Sequence, residues 1–248
     1  MNDSLLGGIE HVSLVGRLMD FLTWAEIRDP EHGLPERTES EFKLIEIARK
    51  TNSLMAVFYR LNKILAFFSF DDLPLKTPLF NITRADWLEY HRETFIFLTI
   101  SFQDRALKLT NEALQLGLSA IQCKHDRILK KINNSYPQVS QALVTIDNCV
   151  SQYRETRNSI IHEGHGTDFG DYSRFQAVSQ IERWGVTNID CDSFDYLSEF
   201  VRIRNELVEV VHNFGNQAIN ASEILLDALE PPVGELIRVM RQEHGLDG

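Results

Sequence analysis

Apolar residues recur along most of this chain in steps of three and four, the spacing that places side chains on one face of an α-helix. Thr38 and Glu41 stand just before the longest series, at the spacing of a capping box, in which each side chain accepts a hydrogen bond from the other's backbone N–H. The pattern therefore predicts a helix about 50 Å long that begins at this box. The positions of the series are Leu44, Ile47, Thr51, Leu54, Phe58, Leu61, Leu65 and Phe68.

Three further segments show helical spacing. Thr83 and Asp86 form a second capping signal, and the segment that follows them, through Phe102, is so rich in large apolar groups that we expect a central helix covered on more than one side. Pro137 suits the first turn of a helix that continues to Ile161. A last helix is expected from about residue 193 to residue 230, before the break expected at two consecutive prolines.

These helices predict an all-α fold, a multi-helix up-down bundle of long antiparallel helices joined by short loops. We expect residues 1–248 to form a single domain with a C-terminal helical extension, because no linker or internal repeat divides them. Only 13 Gly and 7 Pro interrupt the chain, which disfavours a many-stranded sandwich or a doubly wound α/β fold.

Composition narrows the classes of function. The 25 Lys and Arg against 36 Asp and Glu give a net charge of −11, which argues against a protein that coats nucleic acid generally. Cys123, Cys149 and Cys191 are far apart and odd in number, so we expect no disulfide framework and no zinc site, and a cytoplasmic setting fits best. No stretch of 18 apolar residues occurs, so we expect no membrane contact and no export signal.

Candidate chemistry concentrates near the end of the helix predicted after Pro137. Extending its apolar stripe from Tyr153 by one turn reaches Arg157, a permanent cation whose burial is costly unless something pairs with it. A histidine follows five residues later, near the glycines expected to end the helix. The stretch reads Arg157-Asn158-Ser159-Ile160-Ile161-His162.

This stretch resembles the signature of the HEPN superfamily (higher eukaryotes and prokaryotes nucleotide-binding), in which an Arg and a following polar residue precede a His by four to six intervening positions. The resemblance implies an α-helical bundle that dimerises, so that the motifs of two chains share one cleft. In many members that cleft is a metal-independent endoribonuclease, often in toxin–antitoxin or other defence systems. Other members are catalytically inactive modules that bind a nucleotide or a protein, and this alternative stays open.

Carried over to this chain, the resemblance implies His162 as a general base or acid, Arg157 as a phosphate clamp and Asn158 as an orienting group, with no metal and no cofactor. It implies RNA and a second copy of the chain as partners, and an antitoxin or a nucleotidyltransferase-type protein as further ones. On an ideal helix Arg157 and His162 are about 140° apart in azimuth, so either a distorted helix end or a two-fold dimer is needed to bring such groups to one atom, and we expect the dimer.

The bare spacing is not specific. It also occurs from Arg84 to His91 and from Arg238 to His244, and only the Arg-Asn pair at the offset of His162 sets the third occurrence apart. A purely structural alternative has Arg157 paired with an acid across the bundle and His162 capping the last carbonyls of its helix.

Local charge differs strongly between segments. Lys124, Arg127 and Lys131 share one helical face and are candidate nucleic-acid contacts, although such a run is also typical of a plain solvated face. Residues 190–248 hold 12 acids and 4 bases, so RNA is not expected there. The glycine-rich loop after His162 contains His165 as an auxiliary candidate, but its spacing matches no rigid metal site.

Overall fold

The structure, a computed structural model, describes residues 13–27, 37–69, 82–132, 134–163 and 196–245. These residues form seven helices and no strand, which confirms the all-α prediction. The helices are α1 (Ser13–Ile27), α2 (Glu39–Phe68), α3 (Arg84–Ala113), α4 (His125–Ile132), α5 (Pro137–Ser151), α6 (Arg154–Glu163) and α7 (Tyr196–Glu243).

Both predicted capping boxes are present. The Thr38 backbone N–H donates to the Glu41 carboxylate at 2.7 Å, and the Glu41 N–H donates to the Thr38 hydroxyl at 3.3 Å. Thr83 and Asp86 make the same reciprocal pair at 2.9 and 3.0 Å. Because each box satisfies backbone donors that a helix start leaves open, α2 and α3 begin where their sequences predict.

The chain divides into two compact units, and α2, α3 and α7 each contribute residues to both. Unit 1 comprises Met1–Tyr59, Ser101–Val150 and Asn216–Gly248, and unit 2 comprises Arg60–Ile100 and Ser151–Gly215. The single domain over residues 1–248 stays a prediction.

The core of unit 1 joins α2, α3 and α5. Phe58 and Phe102 meet edge to face at 5.8 Å, and the Arg105 side chain donates to the Ser53 carbonyl, so α2 and α3 run antiparallel. Gln103 on α3 donates to Asp147 on α5. The described part of unit 1 thus carries the antiparallel packing that the sequence predicts.

The core of unit 2 is an aromatic triad from three helices. Phe95 on α3, Tyr153 at the start of α6 and Phe214 on α7 contact one another edge to face, with ring centroids 5.3–5.7 Å apart. Phe95 and Phe214 are almost completely buried. The triad therefore fixes the start of α6 against α3 and α7.

Two expectations about helix ends were wrong. The helix predicted from Pro137 to Ile161 is broken after Ser151, and α6 restarts at Arg154. Pro231 and Pro232 lie inside α7 although each lacks an N–H to donate, because buried Leu229 and Val233 hold the helix on either side. The start predicted near residue 193 lies outside the described residues.

Among the helices that the structure describes, none combines the length and the apolar character needed to span a membrane.

Candidate functional site

The candidate site lies on α6, a helix of ten residues that begins directly after the break in the chain. The Arg157 backbone N–H donates to the Tyr153 carbonyl at 3.0 Å, the first helical hydrogen bond of α6. Since the Tyr153 ring belongs to the aromatic triad of unit 2, the first turn of α6 is fixed by tertiary packing.

The break changes the register of the buried face. Thr156 and Ile160 continue the buried side from Tyr153, whereas Arg157 is only half-buried. The expectation that Arg157 extends the apolar stripe of one continuous helix was therefore wrong, because the helix ends at Ser151 and α6 begins anew at Arg154. A half-buried guanidinium keeps part of its hydration, so its position is less costly than the sequence suggested.

Arg157 and Asn158 are in contact. The Arg157 guanidinium donates to the Asn158 side-chain carbonyl at 3.2 Å. No acidic side chain in the described part of the chain forms an ion pair with Arg157. The positive charge is thus held in place by a neutral neighbour and is not neutralised there.

His162 is exposed in the last turn of α6. Within the described ranges its side chain has neither a hydrogen-bond partner nor an ion-pair partner. Ile161 beside it is an exposed large apolar residue. An exposed imidazole without a polar partner in the described residues is available to a ligand, and the adjacent apolar side chain suits contact with another macromolecule.

Within one chain the two groups leave α6 in different directions. The helix is continuous from Arg154 to Glu163, so five residues separate Arg157 and His162 by about 140° in azimuth and about 7.5 Å along the axis. The distortion that would aim both at one atom is not present.

The structure places the basic face on α4 and the residue directly before it, in unit 1. Ile128 and Ile132 are buried there, while Lys124, Arg127 and Lys131 are exposed. Lys131 is engaged in a structural contact, since its ammonium donates to the Leu116 carbonyl in the turn after α3. Lys124 and Arg127 form no ion pair with any described residue, so their charges stay available to a ligand.

The other candidate groups are not part of α6. Cys123 and Cys149 are free and buried, and burial raises the pKa of both thiols. Among the described residues, no three His, Cys, Asp or Glu side chains cluster as metal ligands. His165 and the rest of the glycine-rich loop, like Cys191, lie outside the described residues.

Sequence reasoning missed the role of Tyr153 and the bond between Arg157 and Asn158. No Gly or Pro marks the break before α6, so the only available signal was the large aromatic ring at its start. The Arg-Asn pair was selected for its adjacency, and the structure adds that the amide faces the guanidinium.

Comparison with protein families, curated proteins and solved structures places α6 in context. A family model described as Cthe2314-like HEPN matches residues 79–213, more than half of the chain, and this range contains α3, α4, α5, α6 and the first part of α7. Neither the curated proteins nor the solved structures gave a match. The chain belongs to the Cthe2314-like HEPN family.

Proposed function

We propose that this protein is a metal-independent endoribonuclease that cleaves RNA in a cleft formed between two copies of the chain. The observation that carries the proposal is that two side chains of α6 lack acidic partners among the described residues. Arg157 and His162 lie within the range matched by the HEPN model, and neither side chain is tied to an acid of the described residues.

The reaction that fits these groups is attack of a ribose 2′-hydroxyl on the adjacent phosphorus. A general base removes the hydroxyl proton as the O–P bond forms, and an acid protonates the 5′-oxygen as the P–O bond breaks. The products are a 2′,3′-cyclic phosphate and a 5′-hydroxyl. His162 acts as base or acid, and the Arg157 guanidinium stabilises the phosphorane charge.

Asn158 has a positioning role in this scheme. Its carbonyl accepts a hydrogen bond from the Arg157 guanidinium, which restricts the rotamers of a long side chain without neutralising it. An arginine oriented in this way presents its remaining N–H groups to phosphate oxygens, the geometry that a planar guanidinium suits best.

The dimer follows from the geometry of α6. Arg157 and His162 diverge by about 140°, so we propose that Arg157 of one protomer and His162 of its partner act on the same phosphate. The exposed Ile161 beside His162 supplies apolar surface for that contact. Lys124, directly before α4, and Arg127 and Lys131 on α4 are proposed as secondary contacts to the RNA backbone, with Lys131 the weakest because it is already engaged.

The biological setting is part of the proposal. A toxin or defence ribonuclease of this kind is held in check by an antitoxin or a nucleotidyltransferase-type protein that covers Arg157 and His162. Such a partner would bind the exposed face of α6, so His162→Ala would abolish RNA cleavage and also weaken partner binding.

The test is cleavage of a single-stranded RNA by purified protein in the presence of EDTA. We expect products with 2′,3′-cyclic phosphate ends, no cleavage at a nucleotide that lacks its 2′-hydroxyl, and a loss of about 10²- to 10⁴-fold in His162→Ala. His212→Ala is the matched control, an exposed histidine on α7 of the same unit, and should retain wild-type activity. Wild-type cleavage by His162→Ala would refute the proposal, and a folded protein without cleavage would favour the inactive, ligand-binding alternative.

A further inference from the structure

Unit 2 exposes a group of aromatic side chains where the end of α2 meets the first half of α3. Tyr90 is 66% exposed and Phe67 is 41% exposed. The Phe67 ring stacks on the His91 ring at 4.9 Å with an interplanar angle of 26°, and Tyr90 meets the same imidazole edge-on at 5.4 Å. Trp87 contacts it at 4.6 Å. We call Phe67, Trp87, Tyr90 and His91 the aromatic platform.

The platform is held rigidly from below. His91 is buried, and burial lowers its imidazole pKa, so the ring is neutral at neutral pH and packs as an aromatic group. Phe68, which is almost completely buried, meets both Trp87 and His91 edge to face. The exposed rings are therefore set in position before any ligand arrives, which lowers the entropy lost on binding.

Positive charge lies beside the platform on α2. Arg60, Lys63 and Phe67 follow steps of three and four, so they share one exposed helical face. Residues 60–69 contain no Asp or Glu. On α3 the acids that neighbour the platform residues in sequence are Asp86, which belongs to the capping box, and the half-buried Glu89 and Glu93, and burial raises the pKa of Glu93. The charge is thus polarised, with cations on α2 and carboxylates on α3.

We propose that the aromatic platform binds unpaired bases of single-stranded RNA, with the phosphate backbone along Arg60 and Lys63. Aromatic faces stack on bases of any sequence, and neighbouring cations track the backbone. This inference rests on the proposed ribonuclease function, because it identifies how the same RNA is held by the unit that carries α6.

Charge favours RNA over a second copy of the chain as the occupant. In a two-fold interface centred on this face of α2, the same patch meets itself, so Arg60 and Lys63 of one protomer would approach those of its partner. Phosphates complement the same cations. The rigid rings also match what stacking requires, a planar face fixed in direction.

The experiment measures binding with the His162→Ala protein, so that the RNA is not cleaved. The probe is a short, unstructured, fluorescently labelled RNA, titrated against this protein and against versions that also carry Phe67→Leu or Tyr90→Leu. We expect each Leu substitution to weaken binding by about 5- to 100-fold, the effect of losing one stacked base. Phe42→Leu is the matched control, an exposed phenylalanine of α2 in unit 1, and should leave the affinity unchanged.

A second probe needs no change to the platform. An RNA of the same length with abasic sites keeps every phosphate but removes all stacking partners, so it should bind at least as weakly as intact RNA binds to either Leu variant. Arg60→Ser should make the slope of the logarithm of the binding constant against the logarithm of salt concentration shallower by about one, the effect of losing one phosphate contact. Equal affinity for abasic and intact RNA would overturn the proposal, whatever the folding of the variants.

The outcomes separate this inference from the proposed function. If the platform binds RNA as expected but wild-type protein cleaves none, the ribonuclease proposal fails and the platform stands. If wild-type protein cleaves RNA while Phe67→Leu and Tyr90→Leu bind it normally, the platform fails alone. If these variants become monomeric by light scattering, the face is an interface between copies of the chain and the inference is wrong.

Discussion

The end of α6 and the end of α7 carry the same arrangement in sequence, an arginine followed by a histidine near a helix C-terminus, but they differ in structure. On α7, Arg238 donates to Glu235 at 2.9 Å, and the His244 imidazole lies 3.3 Å from the buried Glu41 carboxylate. On α6, Arg157 is bonded only to its neutral neighbour, and His162 has no polar partner within the described residues.

This difference shows that the same spacing of Arg and His serves the fold at one helix end and is open to a ligand at the other, which the spacing alone does not reveal. At the end of α7 the polar groups stabilise the fold. Glu41, which His244 contacts, belongs to the capping box of α2. Glu243, the neighbour of His244 in sequence, accepts a hydrogen bond from Ser40, and hydrogen bonds from Ser40 and Thr38 lower the pKa of the Glu243 carboxyl. At the end of α6 the same residue types are left open for a ligand.

A third occurrence of the spacing, Arg84 with His91, supports the same distinction. The Arg84 guanidinium lies over the Phe200 ring at 5.6 Å, and His91 is buried among aromatic rings. Of the three pairs, only the one on α6 presents both groups to solvent without an acidic or aromatic partner in the described structure.

The largest expected effect is on catalysis. Arg157→Ala should lower kcat/KM for RNA by about 10²- to 10³-fold, because it removes the donor to the phosphorane, whereas Arg238→Ala should leave it unchanged. The measurement is the initial rate of cleavage in EDTA at equal concentrations of folded dimer. A comparable loss in both variants would remove the distinction between the two helix ends.

The next largest effect is on stability, and here we expect the larger loss at the end of α7 and the smaller one at the end of α6. His244→Ala should lower the free energy of unfolding by about 1–3 kcal/mol, because the buried Glu41 loses a polar partner. His162→Ala should stay within about 0.5 kcal/mol of wild type, as expected for an exposed side chain. Denaturant unfolding followed by circular dichroism measures both. Equal losses would show that His162 is also a structural group.

The smallest effect is the pH dependence contributed by His91. Its pKa is lowered in the folded state, so below its ordinary value of 6.5 the unfolded chain binds the proton preferentially and stability falls as pH falls. The slope is at most about 1.4 kcal/mol per pH unit. The difference in the free energy of unfolding between wild type and His91→Phe should grow as pH falls from 7.5 to 5.5, with a slope that stays below this limit. Parallel curves would contradict the assignment.

Local signals predicted the helix starts correctly. The boxes at Thr38–Glu41 and Thr83–Asp86 depend on residues three positions apart, so their geometry is determined within one turn. The first-turn position of Pro137 was predicted for the same reason. The sequence did not predict correctly where helices are interrupted, because the break before α6 and the passage of α7 through two prolines depend on distant packing partners.

For the candidate site, too, local features were predicted from the sequence and long-range contacts were not. The sequence identified Arg157, Asn158 and His162 by spacing and residue type, but not which groups contact them. The contact between His244 and Glu41 joins residues about 200 positions apart, so no local pattern distinguishes the end of α7 from the end of α6. The aromatic platform was also missed, because its rings come from two helices and resemble ordinary core positions in sequence.

The central claim is that Arg157 of one protomer and His162 of its partner act on one phosphate. The direct measurement is RNA cleavage by Arg157→Ala and His162→Ala chains, each alone and after mixing and reassociation. Each alone should be inactive. Random mixing at equal amounts makes half of the dimers mixed. Each mixed dimer has two sites, of which one combines the intact Arg157 with the intact His162. About a quarter of wild-type activity should therefore return. A mixture that contains the mixed dimer and stays inactive would contradict the account.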